Sequence, residues 1–105
     1  MDAGAARVVL VTAPDEAVAA RLARGMVESG LAACANLVPG VRSIYRWEGE
    51  VQDEAEVLLV VKTTAEHVAA LESFLDREHP YDVPECVALE PASVAAKYLA
   101  WLREG

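Results

Sequence analysis

The sequence predicts a single α/β (α+β) domain with a ferredoxin-like β-α-β-β-α-β order, an extended β-hairpin and a short C-terminal helix. Three observations lead to this fold class. The chain has 105 residues, which is enough for one core but not for two. Apolar, β-branched runs alternate with amphipathic segments of helical period. Hydrophobic residues make up 54% of the chain but aromatic residues only 6%, so the core is expected to consist mostly of Ala, Val and Leu.

The first strand and helix are indicated by a change in the spacing of apolar residues, from a continuous apolar run to a helical repeat. Residues 7–12 are β-branched and apolar, which is typical of a buried strand. Thr12 and Asp15 fit a capping box, and Pro14 suits the first helical position. An apolar stripe at helical spacing then predicts a helix that continues to about Ser29.

A long β-hairpin is predicted next. Residues 32–38 form its first strand, and Pro39-Gly40 marks a bend or bulge in that strand, not its end. Side chains alternate between two faces over residues 41–47. A turn at residues 48–50 leads into the returning strand, residues 51–62. This hairpin is longer than a sheet of this size needs.

The remaining elements complete the split β-α-β order. Thr63 or Thr64 caps a second helix that ends at His79. Residues 85–89 read as a fourth strand, and Ser93 can cap a short last helix. Residues 1–6 are predicted to be a flexible N-terminal tail and residues 7–105 the domain.

The central strands predict a homo-oligomer. Right-handed crossovers place both long helices on one face of the sheet, yet residues 8–11 and 57–61 are apolar on both faces. Each such side chain left in water forgoes roughly 1.5–3 kcal/mol. The last helix is too short to cover the second face, so neighbouring copies are expected to do so, with the hairpin as the connecting arm.

Charge and cysteine usage restrict the partners and the compartment. The formal net charge of -8 disfavours nucleic acid and anionic membranes as partners. Cys34 and Cys86 form no C-x-x-C motif and are read as reduced thiols. Residues 1–6 lack the features of a secretory leader, and no apolar run could span a bilayer. The expected location is therefore cytoplasmic.

His79 is the first metal-ligand candidate. Oxygen ligands could come from the flanking Glu78, Asp82 and Glu85, and a sulfur ligand from Cys34 or Cys86. The alternative is that His79 simply ends a helix, where a cation is favourable. Lys62 ends an apolar strand and could form an ion pair with Glu85 or Glu48, or anchor an anion.

The aromatic residues of the hairpin and the last helix allow two interpretations. Tyr45, Trp47, Tyr98 and Trp101 suit subunit packing better than a ligand slot. The chain lacks a G-x-S-x-G motif and a phosphate-binding glycine loop, and no organic cofactor is indicated. An enzyme that uses His79, Glu85 and Lys62 as acid and base groups is therefore the last of the hypotheses.

Several sequence strings resemble the CutA family over nearly all of residues 8–102. They are VLVTAPDE (9–16), LAACANLVPG (31–40), SIYRWEG (43–49), KTT (62–64), HPYDVPE (79–85) and YLAWL (98–102). The resemblance implies a ferredoxin-like homotrimer, similar in shape to PII signal proteins. It also implies a role in divalent-cation tolerance, with copper, Cu(II), or another divalent cation as ligand.

The resemblance also implies a cleft between subunits that holds the family's polar cluster. That cluster falls on Cys34, Trp47, Lys62, His79, Tyr81, Glu85, Tyr98 and Trp101. Two departures weaken the copper site: Val11 stands where some members have Cys, and Glu78 precedes His79 where some have two histidines. The resulting hypothesis is a trimer that binds divalent metal weakly at this cleft. The alternative is a PII-like regulator that binds a small anion through Lys62.

Overall fold

The computed structural model describes residues 5–104, and in this part of the chain four strands and three helices follow the predicted order. Their bounds are β1 (Ala6–Ala13), α1 (Glu16–Glu28), β2 (Cys34–Trp47), β3 (Glu50–Thr64), α2 (Val68–Glu78), β4 (Val87–Leu89) and α3 (Ala96–Glu104). A single 3₁₀ turn, Ala65–His67, precedes α2. None of these helices combines the length and the apolar character that crossing a bilayer requires.

The sheet has the strand order β2-β3-β1-β4, and every neighbouring pair is antiparallel. This order confirms the predicted fold. Helix α1 connects β1 to β2 across the intervening β3, and α2 connects β3 to β4 across β1. Both helices therefore return to the same face of the sheet.

The main core lies between that face and the two helices. Alternate residues of β1 and β3 point into it, and α1 and α2 contribute their apolar stripes. Its largest fully buried side chains are Val9, Val11, Leu22, Met26, Leu59, Val61, Leu71 and Leu75. Gly25 lets the helices approach closely, because a Cβ there would lie 2.8 Å from Cζ of Phe74.

Among the described helices, α3 alone lies on the second face of the sheet. Leu99 and Leu102 of this helix form a small cluster with Ala6 of β1. The rest of the face is apolar but incompletely covered, since Val8, Leu10, Leu58 and Val60 are half-buried. Three further residues are more than two-fifths exposed: Val38 (42%), Val87 (46%) and Leu89 (46%). The two-faced apolar pattern of the strands is thus present in the folded chain.

The predicted hairpin projects beyond the sheet. The pairing of β1 with β3 ends at Ala13 and Val57, so residues 50–56 of β3 pair with β2 alone. The predicted bulge lies between Val38 and Val41, and Gly40 there has a φ of 78°. At the tip, Glu48 (φ 50°) and Gly49 (φ 82°) form a two-residue loop that matches the strand twist.

The helix starts differ in detail from the sequence expectations at α1 and α3, and the cap of the second helical segment is confirmed only in its position. Asp15 alone is the N-cap of α1 and accepts a hydrogen bond from the Val18 amide at 2.8 Å, so Pro14 precedes the cap. Thr64 is the N-cap residue of the 3₁₀ turn, as expected, but its hydroxyl pairs with Nδ1 of His67 at 2.8 Å and makes no capping hydrogen bond to the backbone. Helix α3 begins at Ala96, beyond the position that a Ser93 cap would give.

Several strand bounds also differ from the sequence expectations, since β2 begins at Cys34 and not at residue 32, and β3 continues beyond residue 62 to Thr64. The fourth strand pairs with β1 only from Val87 to Leu89, which leaves Glu85 and Cys86 in the preceding loop. Ala6, predicted to be in the flexible tail, is the first residue of β1 and is buried. Residues 1–4 of the predicted tail lie outside the described residues.

Candidate cation-binding cavity

The structure separates the predicted site residues into two groups. One group lies along the hairpin and the loop that follows α2, and it comprises Trp47, His79, Tyr81 and Glu85. The other lies between the sheet's second face and α3 and comprises Cys34, Lys62, Tyr98 and Trp101. Glu56, which contacts the first group, is six residues before Lys62 in β3, or about 20 Å along an extended strand. One chain therefore does not bring the two groups together.

A cavity of about 650 Å³ lies between the hairpin and the loop that joins α2 to β4. Its size is in the range of small-molecule sites. The lining residues are Thr12, Ser43, Ile44, Tyr45, Trp47, Glu56, Tyr81, Asp82, Val83, Pro84 and Glu85. Three of these side chains are aromatic and three are carboxylic acids, and none is basic.

Glu56 is the most enclosed carboxylate of the cavity, with 8% of its surface exposed. Strand alternation turns it away from the main core and toward the loop, because Val57 occupies the core side. Its Oε2 accepts a hydrogen bond of 2.6 Å from the Tyr81 hydroxyl. Burial, followed by this hydrogen bond, raises the pKa of Tyr81, so the tyrosine stays a protonated donor.

A second tyrosine–carboxylate pair lies further along the hairpin. The Tyr45 hydroxyl donates a hydrogen bond to Oε1 of Glu54, and this bond raises the pKa of Tyr45. The pair forms across the hairpin because Glu54 is opposite Ser43, two residues before Tyr45. Both tyrosines thus direct their hydroxyl protons at carboxylates, and their rings form walls of the cavity.

Glu85 adds a third carboxylate to these surroundings. Burial is the main cause that raises its pKa, and the nearby charge of Glu56 raises it further. Within residues 5–104, no lysine or arginine forms a salt bridge with Glu54, Glu56 or Glu85. The cavity therefore concentrates negative charge that the described chain leaves without a cationic partner.

His79 is buried beside the cavity, and both of its ring nitrogens have partners. Nδ1 accepts a hydrogen bond from the Tyr81 amide at 3.1 Å, so Nε2 carries the proton and donates to the Thr12 carbonyl at 2.8 Å. The imidazole and the Tyr81 ring are 4.6 Å apart, centroid to centroid. His79 thereby connects the loop to β1 and holds Tyr81 in place.

Lys62 does not form the predicted ion pair with Glu85 or Glu48. Its ammonium group donates a hydrogen bond to Oδ1 of Asn36, the neighbouring side chain on β2. No carboxylate in the described part of the chain lies within salt-bridge distance of it. An anion could therefore approach this ammonium group without displacing an acidic side chain.

Cys34 lies across the strand pair from Lys62, with its Sγ 3.7 Å from the Tyr98 hydroxyl. Burial and this contact raise the pKa of Tyr98. The Tyr98 and Trp101 rings pack at 5.4 Å on adjacent turns of α3. Cys34 and Cys86 are free thiols, and burial raises the pKa of Cys86.

The predicted ligands Cys34, His79 and Glu85 do not form one cluster within the chain. Among residues 5–104, no group of three His, Cys, Asp or Glu side chains is arranged to hold a metal ion. A metal at His79 would also have to displace one of the two hydrogen bonds of its ring. The residues of one chain therefore do not fit a complete copper site.

The sequence interpretation missed Glu54 and Glu56. The signal was available in the strand period: both residues share the face of β3 opposite the core and precede the apolar run. Their role depends on the hairpin register, which pairs Glu54 with Ser43 and Glu56 with Val41. From the sequence alone, without that register, the two glutamates would be assigned to a solvent-exposed face of the strand.

Comparison with known proteins identifies the family. Residues 7–105 match the family described as CutA1 divalent ion tolerance protein. The divalent-cation tolerance protein CutA of Thermus thermophilus is 53% identical over 97 residues, which cover 92% of this chain and 94% of that protein. Protein CutA of Homo sapiens is 43% identical, with 96% of this chain and 56% of the human protein covered.

Solved structures agree with the fold. A structure of the divalent cation tolerance protein of Thermus thermophilus matches with a TM-score of 0.92 at 52% identity, covering 94% of this chain and 96% of that one. CutA of Synechococcus elongatus matches with a TM-score of 0.93 at 39% identity, covering 99% of this chain and 92% of that one. The resemblance noted in the sequence strings is confirmed, and the chain belongs to the CutA1 family of divalent ion tolerance proteins.

Proposed function

We propose that this protein is a homotrimer that binds divalent metal ions weakly at carboxylate-lined clefts between its subunits. The observation that supports a cation site is the pair of cavity carboxylates, buried Glu56 and half-buried Glu85, which have no cationic partner in the described chain. Carboxylate oxygens are the ligands that hard divalent cations prefer. The family's description as ion tolerance proteins points to the same class of ligand.

Two protein carboxylates and water make a weak site. Tight sites for such ions need more oxygen ligands, or nitrogen and sulfur ligands in fixed geometry. Further donors would have to come from a second subunit, in which Cys34 or another residue of the second group approaches the cavity. This arrangement accounts for a tolerance role better than for permanent metal storage, because weakly bound ions exchange readily.

The incomplete cover of the sheet's second face supports assembly. Half-buried Leu10, Leu58 and Val60 lie on the same face of the sheet as α3, and exposed Val87 and Leu89 continue the apolar surface to the edge strand. A neighbouring subunit that covers these residues would remove them from water. In a cyclic oligomer, each subunit would have the second face of its sheet covered by a neighbouring subunit.

Metal binding is tested by titrating Mn(II) into the wild-type protein and following the free ion by electron paramagnetic resonance. We expect weak binding that is lost in the double variant Glu56→Gln/Glu85→Gln. The matched control is Glu50→Gln, which removes a hairpin charge outside the cavity. Unchanged Mn(II) affinity in the double variant would overturn the assignment to these carboxylates. Cu(II) titration of His79→Gln tests the imidazole separately.

Lys62 favours a second function, that of a PII-like regulator with a small anionic ligand between subunits. The ammonium group lies on the second face of the sheet, and its side-chain hydrogen bond in the described part of the chain goes to the neutral amide of Asn36. A panel of small anions and nucleotides should then raise the melting temperature of wild type but not of Lys62→Ala. If no compound shifts the wild-type melting temperature, this second function loses its support.

A further inference from the structure

The walls of the cavity differ from those of a simple metal site. A metal ion with its first shell of water fills only a small part of about 650 Å³. The remaining space is bordered by the rings of Tyr45, Trp47 and Tyr81 and by the aliphatic side chains of Ile44 and Val83. Apolar and aromatic walls contribute nothing to a hydrated metal ion, but they stabilise an organic ligand.

We propose that this cavity binds an aliphatic primary amine in its ammonium form, with its N–H groups on the carboxylates and its hydrocarbon chain along the aromatic walls. The inference extends the proposed cation site to a second class of cation. It rests on the same carboxylates as that proposal but does not depend on metal binding.

The carboxylates select the charge and the polar contacts of the ligand. Glu56 is more than nine-tenths buried, and among residues 5–104 the hydrogen bond that it accepts from Tyr81 uses a single oxygen. Glu85 lines the same cavity as Glu56, so a positive charge between the two carboxylates would relieve their mutual repulsion. An ammonium group has three N–H donors and can satisfy both carboxylates at once.

The tyrosines favour a ligand that donates hydrogen bonds. Tyr45 and Tyr81 already direct their protons at Glu54 and Glu56, so their oxygens face an incoming group as acceptors. The faces of their rings and of Trp47 attract a cation by their quadrupoles. An N–H cation therefore meets acceptors and negative ring faces, whereas an anion would meet carboxylates and no basic side chain.

The experiment uses putrescine as the probe and butanediol as its neutral analogue of the same length. Titrations contain EDTA, so that failure of metal binding and failure of amine binding are distinguishable. The chain has two tryptophans, and a Trp101→Phe background assigns the fluorescence change to Trp47. We expect saturable binding of putrescine and no binding of butanediol.

Three substitutions in that background locate the site. Glu56→Gln should weaken putrescine binding by at least about tenfold, which corresponds to one lost charged contact. Glu50→Gln, which removes the same charge from the hairpin outside the cavity, should change the affinity by less than about twofold. Trp47→Leu, followed by calorimetry, should weaken binding about fivefold through loss of the cation–π contact. Because Trp47 is 46% exposed, this last change leaves the core intact.

Two results would overturn the proposal. One is the absence of saturable putrescine binding to the protein. The other is an equal loss of affinity in Glu56→Gln and Glu50→Gln, because that pattern would indicate general attraction to an acidic surface without a defined site.

Discussion

At the scale of single residues, the chemistry of the candidate site depends on how burial and hydrogen bonds set the state of each side chain. Tyr81 connects two of them, since its amide donates to His79 and its hydroxyl donates to Glu56, while its own ring forms a wall of the cavity. A residue that looked like part of a loop motif in the sequence is therefore the centre of a hydrogen-bonded network.

Glu85 gives a pH-dependent prediction. Its raised pKa means that the folded state binds the Glu85 proton more tightly than the unfolded chain does. Ionisation of Glu85 above its ordinary pKa of 4.5 therefore lowers the free energy of unfolding, and this loss fades as the pH falls. In the presence of EDTA, Glu85→Gln should melt at a higher temperature than wild type near about pH 8, with a smaller difference near about pH 4.

The control for this measurement is Glu50→Gln, whose carboxylate lies on the exposed hairpin tip. Its melting temperature should differ little from that of wild type across the same range. A difference between Glu85→Gln and wild type that stayed constant with pH would show that ionisation of Glu85 is not its cause.

His79 gives a prediction about stability. His79→Ala leaves the Thr12 carbonyl and the Tyr81 amide without their partner in a buried setting, at a cost of about 2–4 kcal/mol in the free energy of unfolding. Urea denaturation measures this cost. The neighbouring Glu78 forms a surface ion pair with Arg21, so Glu78→Ala should cost less than about 1 kcal/mol. Similar losses in both variants would contradict a structural role for the imidazole.

At the scale of secondary-structure elements, most of the fold follows from the sequence. The apolar stripe of α1, the Pro39-Gly40 bulge and the hairpin turn are local signals, and the structure confirms each of them. The bounds of β4 were less predictable, because a strand ends where its neighbour stops pairing. Periodicity shows that residues 85–89 can be extended but not that β1 pairs with only three of them.

The site was less predictable than the elements. Lys62 and Glu85 both lie at strand or loop ends, where the sequence suggests an ion pair, yet Lys62 bonds Asn36. That partner follows from the β2–β3 register, which places Asn36 beside Lys62 on one face. Glu54 and Glu56 were missed for the same reason, since cross-strand neighbours are not adjacent in the sequence.

The contact between α1 and α2 gives a prediction at this scale. Gly25→Ala gains about 1 kcal/mol of helix propensity, but its Cβ would lie 2.8 Å from Cζ and 3.2 Å from Cε1 of Phe74. Overpacking of this kind costs about 1–3 kcal/mol, so the net effect should be a loss of stability. Thermal unfolding measures this loss.

The matched variant removes the clash by shortening the partner. Phe74→Leu should destabilise the wild-type chain but recover stability in the Gly25→Ala background, because leucine leaves room for the added methyl group. Additive effects of the two changes would show that Gly25 and Phe74 do not interact.

At the scale of the whole molecule, the two faces of the sheet have different structural roles. One face forms the main core with α1 and α2, and the other presents apolar side chains that α3 covers only in part. The hairpin extends the molecule to 45 Å in its longest dimension, against 26 and 23 Å in the others. The two faces of the hairpin differ in charge. Arg42 and Arg46 lie on one face, and Tyr45 and Trp47 alternate with them on the other. Glu54 and Glu56 share the face of the two aromatic residues, which is the cavity side.

This shape gives the last prediction, which concerns assembly. If the second face is a subunit interface, wild type should have three times the chain mass of 11.2 kDa by light scattering at micromolar concentration. Val60→Lys places a charge on the half-buried second face and should shift the mass toward that of a single chain, since a buried unpaired charge costs several kcal/mol. Ala20→Lys adds the same charge to an exposed position of α1 and should leave the mass unchanged. A cooperatively folded wild-type species of 11.2 kDa would contradict the interface, because the apolar side chains of the second face would then be stable in water.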